Sequence, residues 1–459
     1  MLSKIKNIFF KSQEKAEEAH PFKSAYNALR PAATHGSFCY APMNNIYFSW
    51  DGKAIACCFN QDFILGRYPQ QTIREIWESK EAKELRTALE NFDLSKGCNV
   101  CLSDVQEKRF EASNALRFDN YERKSYPAMM EFQLSNTCNL QCVMCNGHLS
   151  SSIRKHRDKL PPLPEMYDAK FVDQLEEFIP HLEHTTFSGG EPFLINIYFD
   201  IWGKMIALNP KCIIKVITNG TVFNARIAEL LKKGNFHITI SLDSPVEENY
   251  EQIRIGANFK KVISNARAMS AICQENGTNF NLNFCPMVTN WHEIPIFLKL
   301  ANELNASIYY SIVYFPLKHS ISEMSKQEQI EVVVSTKEKI ADFPENQNLK
   351  DTRLLLRKIT TWSLEKEKEA TSITFESQEA FAQHAVEKIS THYKRNEESL
   401  SVESIKTIGV LFQEIDYRSI YLDEFLASLN HLPELQKFEE ILNMPIEEAI
   451  VDVKNRYAK

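Results

Sequence analysis

The run Cys138-Asn-Leu-Gln-Cys142-Val-Met-Cys145 places three cysteines in a C-x3-C-x2-C spacing. Cysteine thiolates are the usual protein ligands of iron–sulfur clusters, normally four to a cluster. This run offers one fewer. A site built on three thiolates leaves one metal position open, and an open position is what separates catalytic metal sites from structural ones. Residue types alone do not choose between zinc and iron–sulfur, so zinc and three unrelated thiols stay open at this point.

The other cysteines narrow the setting. Of eleven in 459 residues, eight precede residue 146 and none follows Cys285. A secreted disulfide scaffold would be short, with its cysteines spread along it; a long chain with clustered cysteines points to metal. The length predicts two or three domains. The formal charge of −7 gives no electrostatic reason for nucleic-acid binding. No apolar run approaches the ~20 residues that a membrane span requires. The first twelve residues, Met-Leu-Ser-Lys-Ile-Lys-Asn-Ile-Phe-Phe-Lys-Ser, lack the apolar core of a signal peptide. The expectation is a soluble, cytoplasmic protein with neither a nucleic-acid nor a membrane partner.

Between residues 127 and 318, strand and helix patterns alternate. Strands are expected at Ala128–Ser135, Thr185–Ser188, Ile213–Thr218, His237–Leu242, Asn279–Cys285 and Ile308–Phe315. Helices are expected between them at Asp168–Ile179, Ile197–Leu208, Asn224–Lys232, Phe259–Gln274 and Trp291–Leu304. Strands separated by helices imply a parallel α/β sheet with crossover connections. Periodicity leaves a doubly wound sheet and a barrel equally open. The polar motifs favour the barrel, because they fall just after strand ends, where barrel active sites are built. These are the cysteine run, Ser188-Gly-Gly-Glu-Pro192, Thr218-Asn-Gly-Thr221, Ser241-Leu-Asp-Ser244 and Val288-Thr-Asn290.

The three-cysteine run followed by Gly189-Gly190-Glu191 resembles the signature of the radical S-adenosylmethionine (SAM) enzymes. The resemblance implies a partial (β/α)6 TIM-like barrel. It also implies a 4Fe–4S cluster on Cys138, Cys142 and Cys145, with SAM on the fourth iron. Met144 stands where that family usually has an aromatic residue. Gly189, Gly190 and Glu191 match the motif that binds the amino group of SAM. Ser241 and Asp243 resemble positions that reach its methionyl and ribose parts, and Asn219 a further ribose or methionine contact. Arg254 matches a basic residue suited to the carboxylate of SAM; a surface salt bridge is its bland alternative. Thr289 and Asn290 are expected to offer backbone groups to adenine.

Upstream, Cys39, Gly52-Lys-Ala-Ile-Ala-Cys57 and Cys98-Asn-Val-Cys101 resemble a twitch domain, the shortened SPASM-type auxiliary-cluster domain. Asp51-Gly52 within residues 46–57 reads as a hairpin turn, and a helical stretch from Thr72 to Leu89 follows. The resemblance implies a second, closed 4Fe–4S cluster on Cys39, Cys57, Cys98 and Cys101; a four-cysteine zinc site is the alternative. If Cys57 and Cys58 lie on a strand they point to opposite faces, so only one serves, and the G-x4-C spacing favours Cys57. This domain precedes the barrel, whereas such domains usually follow it.

The expected layout is therefore 1–126 for the N-terminal segment and twitch-like domain, 127–318 for the barrel, and 319–459 for a mainly helical region of unknown role. In the last, Ile405–Phe412, Leu422–Leu429 and Leu435–Leu442 carry helical apolar spacing, and Ser363–Ala370 is a charged, solvated helix face. The resemblance implies SAM cleavage and a two-electron oxidation of a sugar, a cyclitol or a peptide. The electron donor would be of flavodoxin or ferredoxin type. Cys285 as a hydrogen donor in an epimerase, and a zinc-bound scaffold without turnover, are the alternatives.

Overall fold

The computed structural model describes residues 22–106, 108–120, 125–365, 377–395, 400–416 and 444–457, with 422, 425, 438 and 440–442 between them. It divides into two compact units. One joins the chain up to Leu134 with Met166–Thr185; the other joins Ser135–Glu165 with the chain from Thr186 onward.

The first unit is built on the expected hairpin. Strands β1 (Asn45–Ser49) and β2 (Lys53–Ile55) pair antiparallel. Their turn closes with the Gly52 N–H donating to the Ser49 carbonyl at 3.0 Å. Gly52 sits at φ 80°, and a Cβ there would lie 2.3 Å from the Tyr68 carbonyl oxygen, so the turn has room only for glycine. β3 (Gly66–Arg67) extends the sheet beside β2. On the other edge, β1 pairs in parallel with β4 (Met129–Gln133) over five residues, from Asn45 opposite Met129 to Ser49 opposite Gln133. Phe48 stacks on Phe132 with ring centroids 6.0 Å apart, and both rings meet Phe171 edge-on.

Two helices follow β3. Ile73–Trp77 begins with a capping box in which Thr72 and Glu75 satisfy each other's backbone N–H groups. Lys80–Glu90 buries Ala82, Leu85, Ala88 and Leu89 along one stripe. The helix expected over Asp168–Ile179 is shorter. It runs Ala169–Gln174 and continues as 3-10 turns, Leu175–Glu177 and Ile179–His181. Pro180 explains the change, since it supplies no N–H and disfavours helical geometry in the residue before it.

In the second unit, β6 (Ile213–Thr218), β7 (Phe236–Ser241), β8 (Phe280–Phe284) and β9 (Ser307–Tyr310) lie side by side, each parallel to the next. β5 (His184–Phe187) crosses the division between the units. Helices Asn196–Leu208, Ala225–Lys233, Phe259–Asn276 and Ile294–Glu303 fall between the strands. Asn224 and Asn258 cap two of them, their side-chain oxygens accepting from Ile227 N–H and Lys261 N–H. The fold is α/β with a parallel sheet, in the element order of a partial TIM-like barrel with a helical C-terminal region.

β9 ends at Tyr310 rather than running to Phe315 as its apolar, aromatic composition predicts. The Ser311 N–H still donates to Phe284 O at 3.0 Å. Beyond that the neighbouring strand's continuation offers no free N–H at two successive residues: the Cys285 N–H is taken by the Asp243 carboxylate at 2.8 Å, and Pro286 has none.

The C-terminal helices include Lys326–Lys339, Gln347–Glu365, Gln378–Arg395, Val402–Glu414 and Ile446–Tyr457. The last three bury Phe381, Ile389, Leu411, Phe412 and Val453 in a common apolar core. The expected helices at residues 422–429 and 435–442, and the charged stretch 363–370, lie largely outside the described residues. Among the described residues no helix is long and apolar enough to cross a membrane.

Candidate functional site

The second unit carries the three-cysteine run on the loop after β4, and the loop's own polar groups hold it. The Cys138 N–H donates to Ser151 Oγ at 3.0 Å, Asn136 Nδ2 to the Gly147 carbonyl at 2.9 Å, and Ser150 Oγ to the Leu140 carbonyl at 2.7 Å. The Cys145 N–H donates to Cys142 O at 3.0 Å, closing a turn across the last two cysteines. Cys142 is buried, while Cys138 and Cys145 are half-buried. Burial pushes the Cys142 thiol up to about 11 and the Cys145 thiol up to about 12, and the neighbouring cysteines add to both shifts. Such thiols become thiolates when a metal replaces their protons.

The Gly-Gly-Glu loop is locked directly onto this loop. The Glu191 N–H donates to the Thr137 carbonyl at 2.7 Å. Gly190 adopts φ 50°, and a Cβ on it would sit 2.2 Å from that carbonyl oxygen. The glycine is therefore a requirement of close backbone approach. The Glu191 carboxylate is fully buried. It accepts from Thr218 Oγ1 at 2.7 Å, the Asn219 N–H at 2.6 Å and the Phe193 N–H at 3.1 Å. Burial raises its pKa, and the hydroxyl and amide donors oppose that. Its side chain thus ties the end of β6 to the loop.

Asn219 continues the network. Its Nδ2 donates to Asn139 Oδ1 at 3.0 Å and approaches Cys138 Sγ at 3.9 Å, while Thr221 bonds back to both asparagines. Ser241 is the half-buried last residue of β7, opposite Asn283 in register. Asp243 is fully buried, with one oxygen accepting from the Cys285 N–H and the other ion-paired to Arg254 Nη2 at 2.7 Å. Arg254 is only 7% exposed, so the surface-bridge alternative for it does not hold. Burial opposes its charge, but Asp243 and Cys142 more than offset that and raise its pKa. Its Nη1 reaches Cys142 Sγ at 3.7 Å. Its Nε has no hydrogen-bond partner among the described residues.

Three residues occupy other surroundings. Asn290 is fully buried, donating to the Asp243 and Cys285 carbonyls. The Thr289 carbonyl accepts from Asn249 Nδ2 at 3.1 Å. Cys285 packs among Ile253, Met287 and Val313, with Val143 and Met144 against them. Sequence reasoning gave no role to Thr137, Asn139 and Thr221, and it expected Asn290 to act through its backbone rather than through the side-chain bonds it makes. Each acts through a backbone carbonyl or a short polar side chain in a turn, and such residues carry no distinguishing pattern.

The first unit gathers the upstream cysteines. Cys39, Cys57, Cys98 and Cys101 line one apolar pocket whose walls include Phe38, Pro42, Leu85, Leu89 and Phe118. They arrive from three segments: the one before β1, the turn after β2, and the start of helix Asn99–Gln106, which brings both Cys98 and Cys101. The Ala41 N–H reaches Cys39 Sγ at 3.3 Å and Asn60 Nδ2 reaches Cys98 Sγ at 3.4 Å. Cys58 does not line the pocket. Strand alternation is not the reason, because β2 ends at Ile55 and both cysteines lie in the turn beyond it. Cys58 instead lies near the Glu131 and Arg117 charges, which are ion-paired at 2.6 Å.

Among the described residues, no three His, Cys, Asp or Glu converge tightly enough to hold a single metal ion. In the first unit the four cysteines line one pocket, as the ligands of one shared cluster would.

Comparison with known proteins finds a family match in each region. Residues 132–298 match the radical SAM superfamily, and residues 39–102 match an iron–sulfur cluster-binding domain of SPASM type. Among curated relatives, a probable GTP 3',8-cyclase of Methanocella arvoryzae is 27% identical over 34% of this chain and 46% of its own length. An AdoMet-dependent heme synthase of Methanosarcina barkeri is 25% identical over 41% of this chain and 51% of its own. The chain thus spans about half the length of these relatives. Among solved structures, native anSMEcpe with bound AdoMet aligns with a TM-score of 0.35 at 17% identity, covering 45% of this chain and 58% of that one. Streptococcus suis SuiB bound to precursor peptide SuiA aligns with a TM-score of 0.35 at 13% identity, covering 60% and 64%. The chain carries a radical SAM domain preceded by an auxiliary-cluster domain. Its cofactors are SAM, a 4Fe–4S cluster and an auxiliary iron–sulfur cluster.

Proposed function

We propose that this enzyme cleaves SAM reductively at a site on Cys138, Cys142 and Cys145, abstracts a substrate hydrogen, and completes a two-electron oxidation through a second cluster on Cys39, Cys57, Cys98 and Cys101. A 4Fe–4S cluster with SAM on its open iron supplies the electron and the 5′-deoxyadenosyl radical; the protein binds, orients and shields them. The observation that carries this reading is the Glu191–Thr137 bond with Gly190 pressed against the same carbonyl, because it fixes the glycine carbonyls beside the three-thiolate loop.

In this reading the Gly189 and Gly190 carbonyls accept from the ammonium of SAM, and Glu191 holds them in place from behind. Asn219 and Ser241 lie toward the ribose and methionyl groups. Arg254 offers its unpartnered Nε to the carboxylate, and Asp243 fixes the guanidinium that does so. The four thiols of the first unit leave no iron open, which suits electron transfer rather than substrate binding. Functionally, residues 1–126 would serve the auxiliary cluster and 127–318 the radical chemistry, with 319–459 as a helical region of unassigned role.

The substrate would be a small molecule of sugar or cyclitol type, or a peptide, with an electron donor of flavodoxin or ferredoxin type in the cytoplasm. The relatives named for GTP cyclisation and heme synthesis favour a small molecule. The test is anaerobic incubation with SAM and dithionite. Wild type should form 5′-deoxyadenosine and Cys142→Ala none; persistent cleavage by Cys142→Ala would reject the site.

A further inference from the structure

We infer that Arg254 sets the reduction potential of the catalytic cluster through its bond to Cys142, and that Asp243 sets how much of the guanidinium charge the cluster feels. This rests on the reading above that Cys142 ligates the cluster.

The placement is enforced by backbone. The Gln141 N–H donates to Ile255 O and the Val143 N–H donates to Ile253 O, both at 2.9 Å. The residues flanking Cys142 are therefore bonded to the residues flanking Arg254, which holds the two side chains opposite each other. Arg254 itself ends helix Glu247–Ile253, its N–H donating to Tyr250 O at 2.7 Å. From there Nη1 reaches Cys142 Sγ at 3.7 Å, and Nη2 reaches Asp243 Oδ2 at 2.7 Å.

Asp243 is fixed in turn. Its second oxygen accepts from the Cys285 N–H at 2.8 Å, and its carbonyl accepts from Asn290 Nδ2 at 2.7 Å. Cys142, Arg254 and Asp243 are all buried, so solvent and salt screen their interaction little. One-electron reduction adds a negative charge to the cluster. A cation bonded to a ligating sulfur stabilises that charge, and hydrogen bonds to sulfur are a recognised determinant of cluster potential. The Asp243 carboxylate offsets part of the cation. Loss of the two groups should therefore move the potential in opposite directions, which a purely structural role would not do.

The experiment is an EPR-monitored potentiometric titration of the full-length, anaerobically reconstituted protein, with iron measured first. The catalytic cluster is identified as the signal that changes when SAM is added. Arg254→Gln should shift its midpoint negative and Asp243→Asn should shift it positive. Each change should alter the reduced-to-oxidised ratio at fixed potential by about tenfold, ~59 mV for one electron. Arg254→Lys keeps the charge without the two-pronged geometry and should fall between wild type and Arg254→Gln. It carries the test, with Asp243→Asn, if the glutamine variant does not retain iron. Unchanged midpoints, or shifts of the same sign, at normal iron content would overturn the inference. A wild-type protein with no SAM-responsive signal would overturn the assignment of the site itself, and the inference with it.

Discussion

The two cysteine constellations are built in opposite ways. In the second unit, three cysteines lie on one short loop, and their surroundings are polar and ionic: Asn139, Asn219, Glu191, Asp243 and Arg254. In the first unit, four cysteines come from three separate segments and meet in an apolar pocket walled by Phe38, Leu85, Leu89 and Phe118. The contrast fits the proposed division of roles: a charged ligand beside an open iron would need donors and acceptors aimed at it, whereas a cluster that only passes electrons would need four ligands and exclusion of water. Loop-borne ligands form locally. Dispersed ligands form only when hairpin, helix and loop have packed, so the first site depends on its unit's fold and the second depends more on its loop.

That comparison can be broken in several ways. The largest effect is expected from Cys98→Ala with Cys101→Ala. It should remove about half of roughly eight irons per chain, counted as two four-iron clusters, while 5′-deoxyadenosine formation persists; an unchanged iron count would mean that the pocket holds no cluster. Gly190→Ala should be next. It places a Cβ against the Thr137 carbonyl in a left-handed backbone conformation, a strain on the order of 1–3 kcal/mol. SAM cleavage should fall steeply while the auxiliary iron is retained, and a variant as active as wild type would remove the close-approach argument. The smallest effect is expected from Cys58→Ser, because Cys58 lies outside the pocket. Iron content should not change, and loss of about four irons would make Cys58 the ligand in place of Cys57.

Much of this was legible in the sequence because it is local. β6 spans Ile213–Thr218 as its β-branched run predicts, the Asp51-Gly52 turn closes the hairpin, and Thr72 and Glu75 cap the helix they precede. What was hidden is contact between distant segments. Nothing in residues 45–49 announces that they pair with 129–133. The shortened β9 depends on Pro286 in the adjacent strand's continuation and on a carboxylate claiming the N–H of Cys285. At the site, the motif residues were readable as a set, but their division of labour was not. The Glu191 and Asp243 carboxylates are both fully buried and spent on protein partners. Only the folded chain shows that these acids hold other groups in place.

The most direct measurement is EPR of the reduced, fully loaded protein with and without SAM. The account predicts two cluster signals, of which SAM perturbs one, with the perturbed signal lost in Cys142→Ala and kept in the Cys98→Ala, Cys101→Ala variant. If SAM perturbed neither signal or both, the division into one open and one closed site would be contradicted.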